Sequence, residues 1–212
     1  MNSLEIYERC VIDLDKYDTP TFEIVDFNRY AERALYEYIN EKYKEFEMVQ
    51  KRTDDLRQFV VFNTFPNTNN VYITLPNDYL RLLSVWYYIE DFDCNTDRWV
   101  IVQKTTADKL GYSENNYYWK PKLTNPQYQI IGNNLYFRVG DDDASRILQV
   151  RLEYIAIPTL YYIDPITLVP SNPPYTDEVD MQIIDKIVRI FQSATNIQGY
   201  QVSTQELSFK NN

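Results

Sequence analysis

At 212 residues, 44% hydrophobic and 25% charged, the chain is long enough for one large domain, or a domain with a substantial elaboration, and can bury a sizeable core. With no histidine and only four glycines, it has no imidazole base or metal ligand and no Ser-His-Asp triad, and it carries no GxGxxG or GxxxxGK[ST] phosphate cradle. The formal net charge of −10 is spread along the chain, which repels nucleic-acid phosphates and argues against specific DNA binding. The same sign suits simple solubility, or a wall that DNA slides past without sticking.

Cys10 and Cys94 stand apart with no CxxC pair, which predicts two buried free thiols in a reducing compartment and no disulfide framework. The N-terminus, MNSLEIYERC, has no basic run ahead of an apolar one, so no signal peptide is expected. No apolar run approaches the ~18 residues of a membrane span.

Ser3 is a candidate cap for a first helix, Leu4–Tyr17, with Leu4, Tyr7, Val11 and Leu14 on one face. Asp18–Thr19–Pro20 ends it, because the residue before proline avoids helical angles. Asp26 would cap the longest helix, Phe27–Glu47, whose stripe of Phe27, Tyr30, Ala31, Ala34, Leu35, Tyr38 and Ile39 reads as core. Thr53, Asp54 and Asp55 start a third, short helix with its acids at the positive end.

From Phe59 the period changes. Val60–Asn63 and Val71–Thr74 read as short strands around the polar loop Thr64–Asn70. Within Val71–Ile89, a corner at Leu75–Pro76–Asn77–Asp78 leads into a longer strand, Leu82–Glu90, with Arg98–Lys104 as its antiparallel partner. Thr105–Leu110 with Gly111 suits a helical turn and its cap, and Tyr112–Pro126 is a tyrosine- and asparagine-rich connection. Gln127–Ile131 and Leu135–Val139 form a hairpin about Gly132–Asn133–Asn134, residues that tolerate positive φ. Leu148, Val150, Leu152 and Tyr154 alternate with polar residues, as in a half-buried strand of a meander.

The segment Pro158–Thr176 holds half of the ten prolines and predicts little regular structure. A last helix, Glu178–Ile197, places Met181, Ile184, Ile187, Val188 and Phe191 on one side. Beyond Gly199 the polar tail with Tyr200, Val202, Leu207 and Phe209 reads as an extended arm. The fold class is therefore α+β: N-terminal helices and a C-terminal helix form a bundle, with an antiparallel β-domain inserted between them. The boundaries are 1–58 for the first helical part, 59–158 for the β-domain, 159–177 for a proline-rich linker, 178–198 for the closing helix and 199–212 for the arm.

Candidate chemistry is thin. Asp91, Asp93, Asn95 and Asp97 alternate like the first half of a calcium loop, but Thr96 stands where the loop needs glycine and Val102 where it needs a bidentate glutamate. Three consecutive acids, Asp141, Asp142 and Asp143, point in different directions, so a solvated turn or a contact with a basic neighbour outweighs a metal site. No pair of carboxylates is singled out for glycoside hydrolysis. Trp86, Tyr87 and Tyr88, and Tyr117, Tyr118 and Trp119, have the chemistry to stack on sugars or bases; core and protein-contact roles outweigh that. No catalytic residue, cofactor or metal is expected.

Taken in order, DFNRYAERALYEYINEKY, TDDLRQF (Thr53–Phe59), LPNDYLRLLSVW (Leu75–Trp86), YYWKP (Tyr117–Pro121), QIIGNNLYFRV and VRLEYIAIP (Val150–Pro158) resemble the head–tail connector (adaptor, or ring) proteins of tailed bacteriophages, most closely those of crAss-like phages. The resemblance covers the whole chain except the Thr159–Thr176 linker and the part beyond Gly199. It implies a non-enzymatic virion protein of the neck and tail region, synthesised in the host bacterial cytoplasm. Such proteins assemble as a ring of about twelve copies beneath the portal, where they extend the DNA channel and dock the tail. The partners implied are copies of itself, the portal protein, neighbouring ring or tail proteins, and genomic DNA passing without specific binding; no membrane is implied. On that reading Tyr200, Val202, Leu207 and Phe209 belong to an arm contacting the portal or an adjoining ring. Asp141, Asp142 and Asp143 then face a neighbour or the channel rim. The alternative from another class is a tail-associated carbohydrate-binding module using Trp86 or Trp119.

Overall fold

The computed structural model describes residues 1–15, 22–48, 54–67, 71–90, 97–105, 120–140 and 144–209, with side chains of the last helix described to Thr195. The chain divides into two compact units, residues 1–58 with 158–212, and residues 59–157. The first is helical and the second is a pair of mainly antiparallel sheets, a mixed α+β architecture.

In the helical unit, α1 (Ser3–Asp15), α2 (Ile24–Met48) and α3 (Asp177–Phe209) pack together, with α3 against both of the others. Asn2, not Ser3, caps α1. Its Oδ1 accepts from the Glu5 amide at 2.9 Å, while the Glu5 carboxylate accepts from the Asn2 amide at 3.1 Å, a reciprocal capping box. Ser3 is fully buried instead, its Oγ 2.8 Å from Ser171 Oγ. The buried face of α1 is accordingly Ser3, Ile6, Cys10 and Leu14, and Leu4 lies on the exposed side. α2 starts a turn before Asp26, since the Phe27 amide donates to the Glu23 carbonyl at 2.9 Å. Asp26 is thus a first-turn acid favoured by the helix dipole. The stripe from Phe27 to Ile39 is core, with Phe27, Ala31, Ala34, Leu35, Tyr38 and Ile39 all buried. On α3 the inward residues include Ile183, Ile184, Ile187 and Phe191; Met181 is exposed and meets Arg9 on α1.

Helix α3 does not end near Ile197 but runs to Phe209, so residues 199–209 are helix and not an extended arm. A single glycine inside a helix costs only about 1 kcal/mol relative to alanine, which Gly199 alone cannot turn into a stop. Between α2 and α3, Glu41 and Lys186 form an ion pair on a partly exposed surface. The hydrogen bond from Lys186, opposed by burial, holds the Glu41 carboxyl below its ordinary value of 4.5. Its contribution is therefore complete above pH 4.5 and lost as pH falls through the lowered folded value. Glu41→Gln is expected to cost under about 1 kcal/mol near pH 7. The difference from the parent should vanish at acid pH and in about 1 M salt, read from denaturation midpoints.

Residues 158–176 contain no helix or strand, as their prolines predict, yet they are knitted into the helical unit and are no free linker. The Asn28 side-chain amide donates to the Ile163 carbonyl at 2.8 Å and accepts from the Ile163 amide at 2.9 Å, copying a strand's pairing. Gln58 grips Thr176 in the same two-way manner at 2.7 and 2.8 Å. Tyr161 is buried and its hydroxyl donates to Asp180 at 2.6 Å.

A 3-10 turn at Asp54–Phe59 leads to the second unit. Its first sheet has the order β1-β8-β3-β4, from β1 (Val60–Pro66), β8 (Ile147–Ala156), β3 (Tyr79–Ile89) and β4 (Arg98–Ile101). The second has the order β2-β7-β6-β5, from β2 (Tyr72–Thr74), β7 (Asn134–Arg138), β6 (Gln127–Ile131) and β5 (Gln103–Lys104). The corner at Leu75–Asp78 thus carries the chain from one sheet to the other. β8 follows the β6–β7 hairpin in sequence but inserts between β1 and β3, so it does not continue a meander. The β5–β6 pair is parallel. Leu148 is exposed because a register shift leaves it unpaired between the Gln149 and Ile147 partners of β3, a bulge that turns both Ile147 and Val150 inward.

Side chains from both sheets form one core, in which Tyr87 of β3 meets Phe137 of β7 edge-to-face at 5.3 Å. The β6–β7 turn has positive φ at Gly132 only, the mark of a type II′ hairpin. Gly140, at φ 69°, has no such freedom around it: a Cβ there would lie 2.3 Å from the Pro121 carbonyl oxygen. Gly140→Ala should therefore cost about 2 kcal/mol or more, strain plus a displaced backbone, whereas Gly132→Ala, with open space around it, should cost only about 1 kcal/mol. Thermal midpoints of the two variants test the ranking.

Candidate interaction surface

Because strand side chains alternate, the first sheet has one face in the core and one facing outward. The outward face follows from the register. Phe62, Glu153 and Ser84 form one cross-strand row, and Thr64, Arg151, Trp86 and Ile101 the next. Pro66, Gln149, Tyr88 and Trp99 form the third. Phe62 is 64% exposed and Ile101 56%; Trp86, Tyr88 and Trp99 are half-buried.

This surface is internally organised. The Trp86 indole N–H donates to Ser84 Oγ at 2.8 Å, and the Ser84 hydroxyl donates to Glu153 at 2.6 Å, which fixes the indole and satisfies the carboxylate. The Arg151 guanidinium lies 4.3 Å from the Trp99 ring centroid, a cation–π contact, and Tyr88 packs against Trp99 at 5.1 Å. The fixed charges in the face are thus engaged within it, leaving an aromatic and aliphatic patch on the β3–β4 side. Trp, Tyr and Arg are the residue types on which protein contacts concentrate their energy.

Of the aromatic run read from the sequence, Tyr87 is core, while Trp86 and Tyr88 share the outward face. Trp99, not singled out in the sequence, joins them through the β3–β4 pairing; the expected strand partnership was the signal that could have found it. Tyr117, Tyr118, Trp119, Cys94, the helical turn at Thr106–Leu110 and Asp141, Asp142 and Asp143 lie outside the described residues. So does Asp91–Thr96 of the calcium-like loop, whose last position, Val102, is buried with its amide bonded to Val85. Tyr200, Val202, Leu207 and Phe209 lie on the helical backbone of α3, where Tyr200 and Leu207, and Val202 and Phe209, are two turns apart.

Among the described residues no group of three His, Cys, Asp or Glu is placed to hold a metal ion. No helix among them is long and apolar enough to cross a membrane. Burial pushes the Cys10 thiol up to about 12, so it is inert as a nucleophile at neutral pH. No known protein family matches this chain, and neither does any curated protein.

Proposed function

We propose that this chain is a structural subunit of the head–tail connector of a tailed bacteriophage, resembling most the ring proteins of crAss-like phages. It forms a ring beneath the portal, continues the DNA channel and docks the tail, without catalysing a reaction. The observation that carries the reading is the outward face with Phe62, Trp86, Tyr88, Trp99 and Ile101, a surface with the composition of a protein contact. The segments behind the resemblance support it, because they build the joints of the fold. Asp54–Phe59 of TDDLRQF is the turn between the two units, and LPNDYLRLLSVW is the corner between the sheets. QIIGNNLYFRV is the β6–β7 hairpin. The net charge of −10 suits a lumen that DNA crosses without binding. The end of α3, with Tyr200, Val202, Leu207 and Phe209, is the segment assigned to the portal or an adjoining ring. Asp141, Asp142 and Asp143 are assigned to a neighbour or the channel rim.

The test is to mix the protein with the portal protein and examine the mixture by negative-stain microscopy and native mass spectrometry. Ring particles seated on the portal are expected. A monomer that persists in the mixture and fails to bind portal would sink the proposal.

The carbohydrate-binding alternative has Trp86 and Trp99 on an open sheet face in its favour. Against it, Arg151 covers one face of Trp99 and Tyr88 packs on the same ring, so the surface a sugar would stack on is already engaged. Glycan-array binding by the monomer, lost in Trp86→Ala, would reverse that preference.

A further inference from the structure

Within residues 158–176 one piece projects. Ile163 and Pro170 pair across a hairpin closed by the Ser171 amide on the Tyr162 carbonyl at 2.7 Å and the Asp164 amide on the Val169 carbonyl at 3.1 Å. The turn is stiffened from inside. Asp164 Oδ1 accepts from the Ile166 and Thr167 amides at 2.8 and 3.0 Å, and the Leu168 amide donates to the Asp164 carbonyl at 2.8 Å. Asn28 clamps the base through both backbone groups of Ile163.

The tip of this rigid hairpin is aliphatic. Ile166 is 90% exposed, Val169 62% and Leu168 56%. Leu168 also sits at φ 57°, where glycine or asparagine would be at ease and leucine is strained. An exposed leucine recovers little of that cost by burial within its own chain. The strain and the exposure together mark the side chain as one whose burial comes from outside.

We propose that the Ile163–Pro170 hairpin is a docking knob whose seat is the Trp86–Trp99–Ile101 patch of a second copy of this chain. This rests on the ring reading above and names the contact between neighbours.

Two features on the chain select a second copy as the occupant. Copies of net charge −10 repel one another, so they can meet only where fixed charges are sparse or already engaged. The one carboxylate of the knob, Asp164, is held by the Ile166 and Thr167 amides of its own loop, and Arg151 and Glu153 in the seat are engaged by Trp99 and Ser84. The two surfaces are also unlike and lie on the same polypeptide, which is what a head-to-tail ring requires. Three tip residues fall well short of the ~800 Å² per partner of a standard interface, so a single contact is weak. A closed ring holds every subunit on two sides and makes the same contact sufficient.

The test uses full-length protein carrying Cys94→Ser, with Ile166→Cys in one preparation and Ile101→Cys in the other. Mixed at high concentration under mild oxidation, they should give a disulfide-linked heterodimer at about tenfold the yield of either alone. Adding Leu168→Gly to the first preparation should leave the thermal midpoint unchanged or higher, because strain is relieved, and should abolish the cross-link. No heterodimer, homodimers formed equally well, or a cross-link indifferent to Leu168→Gly would each overturn the knob. Portal-bound rings formed by Leu168→Gly at the parent level would overturn it too while leaving the connector proposal standing. Failure of the parent protein to form any ring with portal counts against the connector proposal instead.

Discussion

Asp180→Ala is expected to destabilise the helical unit by about 3 kcal/mol or more, the range for removing one member of a buried charged pair. Asp180 is fully buried on the first turn of α3, where its two oxygens accept from different parts of the unit. The Tyr161 hydroxyl donates to Oδ1 at 2.6 Å and the Met1 ammonium to Oδ2 at 2.7 Å. Burial, then the bond to Asp180, keeps the Tyr161 phenol far above its ordinary pKa of 10, so it remains a donor at any pH the fold experiences. Alanine strands that hydroxyl in the core and leaves the ammonium only the longer, exposed contact with Asp177 at 3.7 Å. Tyr161→Phe removes the donor but leaves Asp180 paired with Met1, so it should cost less, about 1.5–3 kcal/mol. Asp180→Asn, which keeps an acceptor for the phenol, should fall between. Urea denaturation followed by helical circular dichroism gives the ranking. Equal costs for Asp180→Ala and Tyr161→Phe would mean that the ammonium contributes nothing.

That carboxylate also shows where sequence reading stops. Ile184, Ile187, Val188 and Phe191 announce a helix because their spacing is local, but nothing near Asp180 names Tyr161 or Met1 as its partners. The same limit moved the cap of α1. Asn2 and Ser3 are equally good cap residues on composition, and only Ser171, far along the chain, takes Ser3 inward. The α2 stripe and the Gly132 turn were legible because a long 3.6-residue period and a positive-φ position are properties of neighbours alone. Sheet order was not, since β8 pairs across β1 and β3 rather than with the hairpin it follows, and the Leu148 bulge shifts which residues face in. Proline correctly predicted that residues 158–176 lack helix and strand. It does not measure looseness, and Asn28, Gln58 and Ser3 make that segment one of the more tightly bonded stretches of the unit. Half of the candidate surface was legible in the alternation of Trp86 and Tyr88 about Tyr87. The rest, Trp99 over Arg151 and the knob at Ile166–Val169, depends on strand register and on one strained turn.

In the sheet unit the largest loss should come from Tyr87→Ala, expected to cost about 3–5 kcal/mol as a large aromatic is cut from a closed core. Tyr87 is fully buried between the sheets, edge-on to Phe137, and it sits on β3 between Trp86 and Tyr88 of the outward face. Its ring is thus the inward anchor of the strand that presents the contact patch. The hydroxyl is a lesser part of the anchor. It lies 3.5 Å from the Gln127 carbonyl, a long hydrogen bond, and burial, with a smaller push from Tyr128, raises the phenol well above its ordinary pKa, so the group stays neutral. Tyr87→Phe should therefore cost within about 1 kcal/mol. A Tyr87→Phe loss approaching that of Tyr87→Ala would place the stabilisation in the hydrogen bond and not in the packing. Tryptophan fluorescence tracks the consequence for the surface: Trp86 and Trp99 should keep their parent emission in Tyr87→Phe and shift to the red in Tyr87→Ala as the strand that carries them loosens.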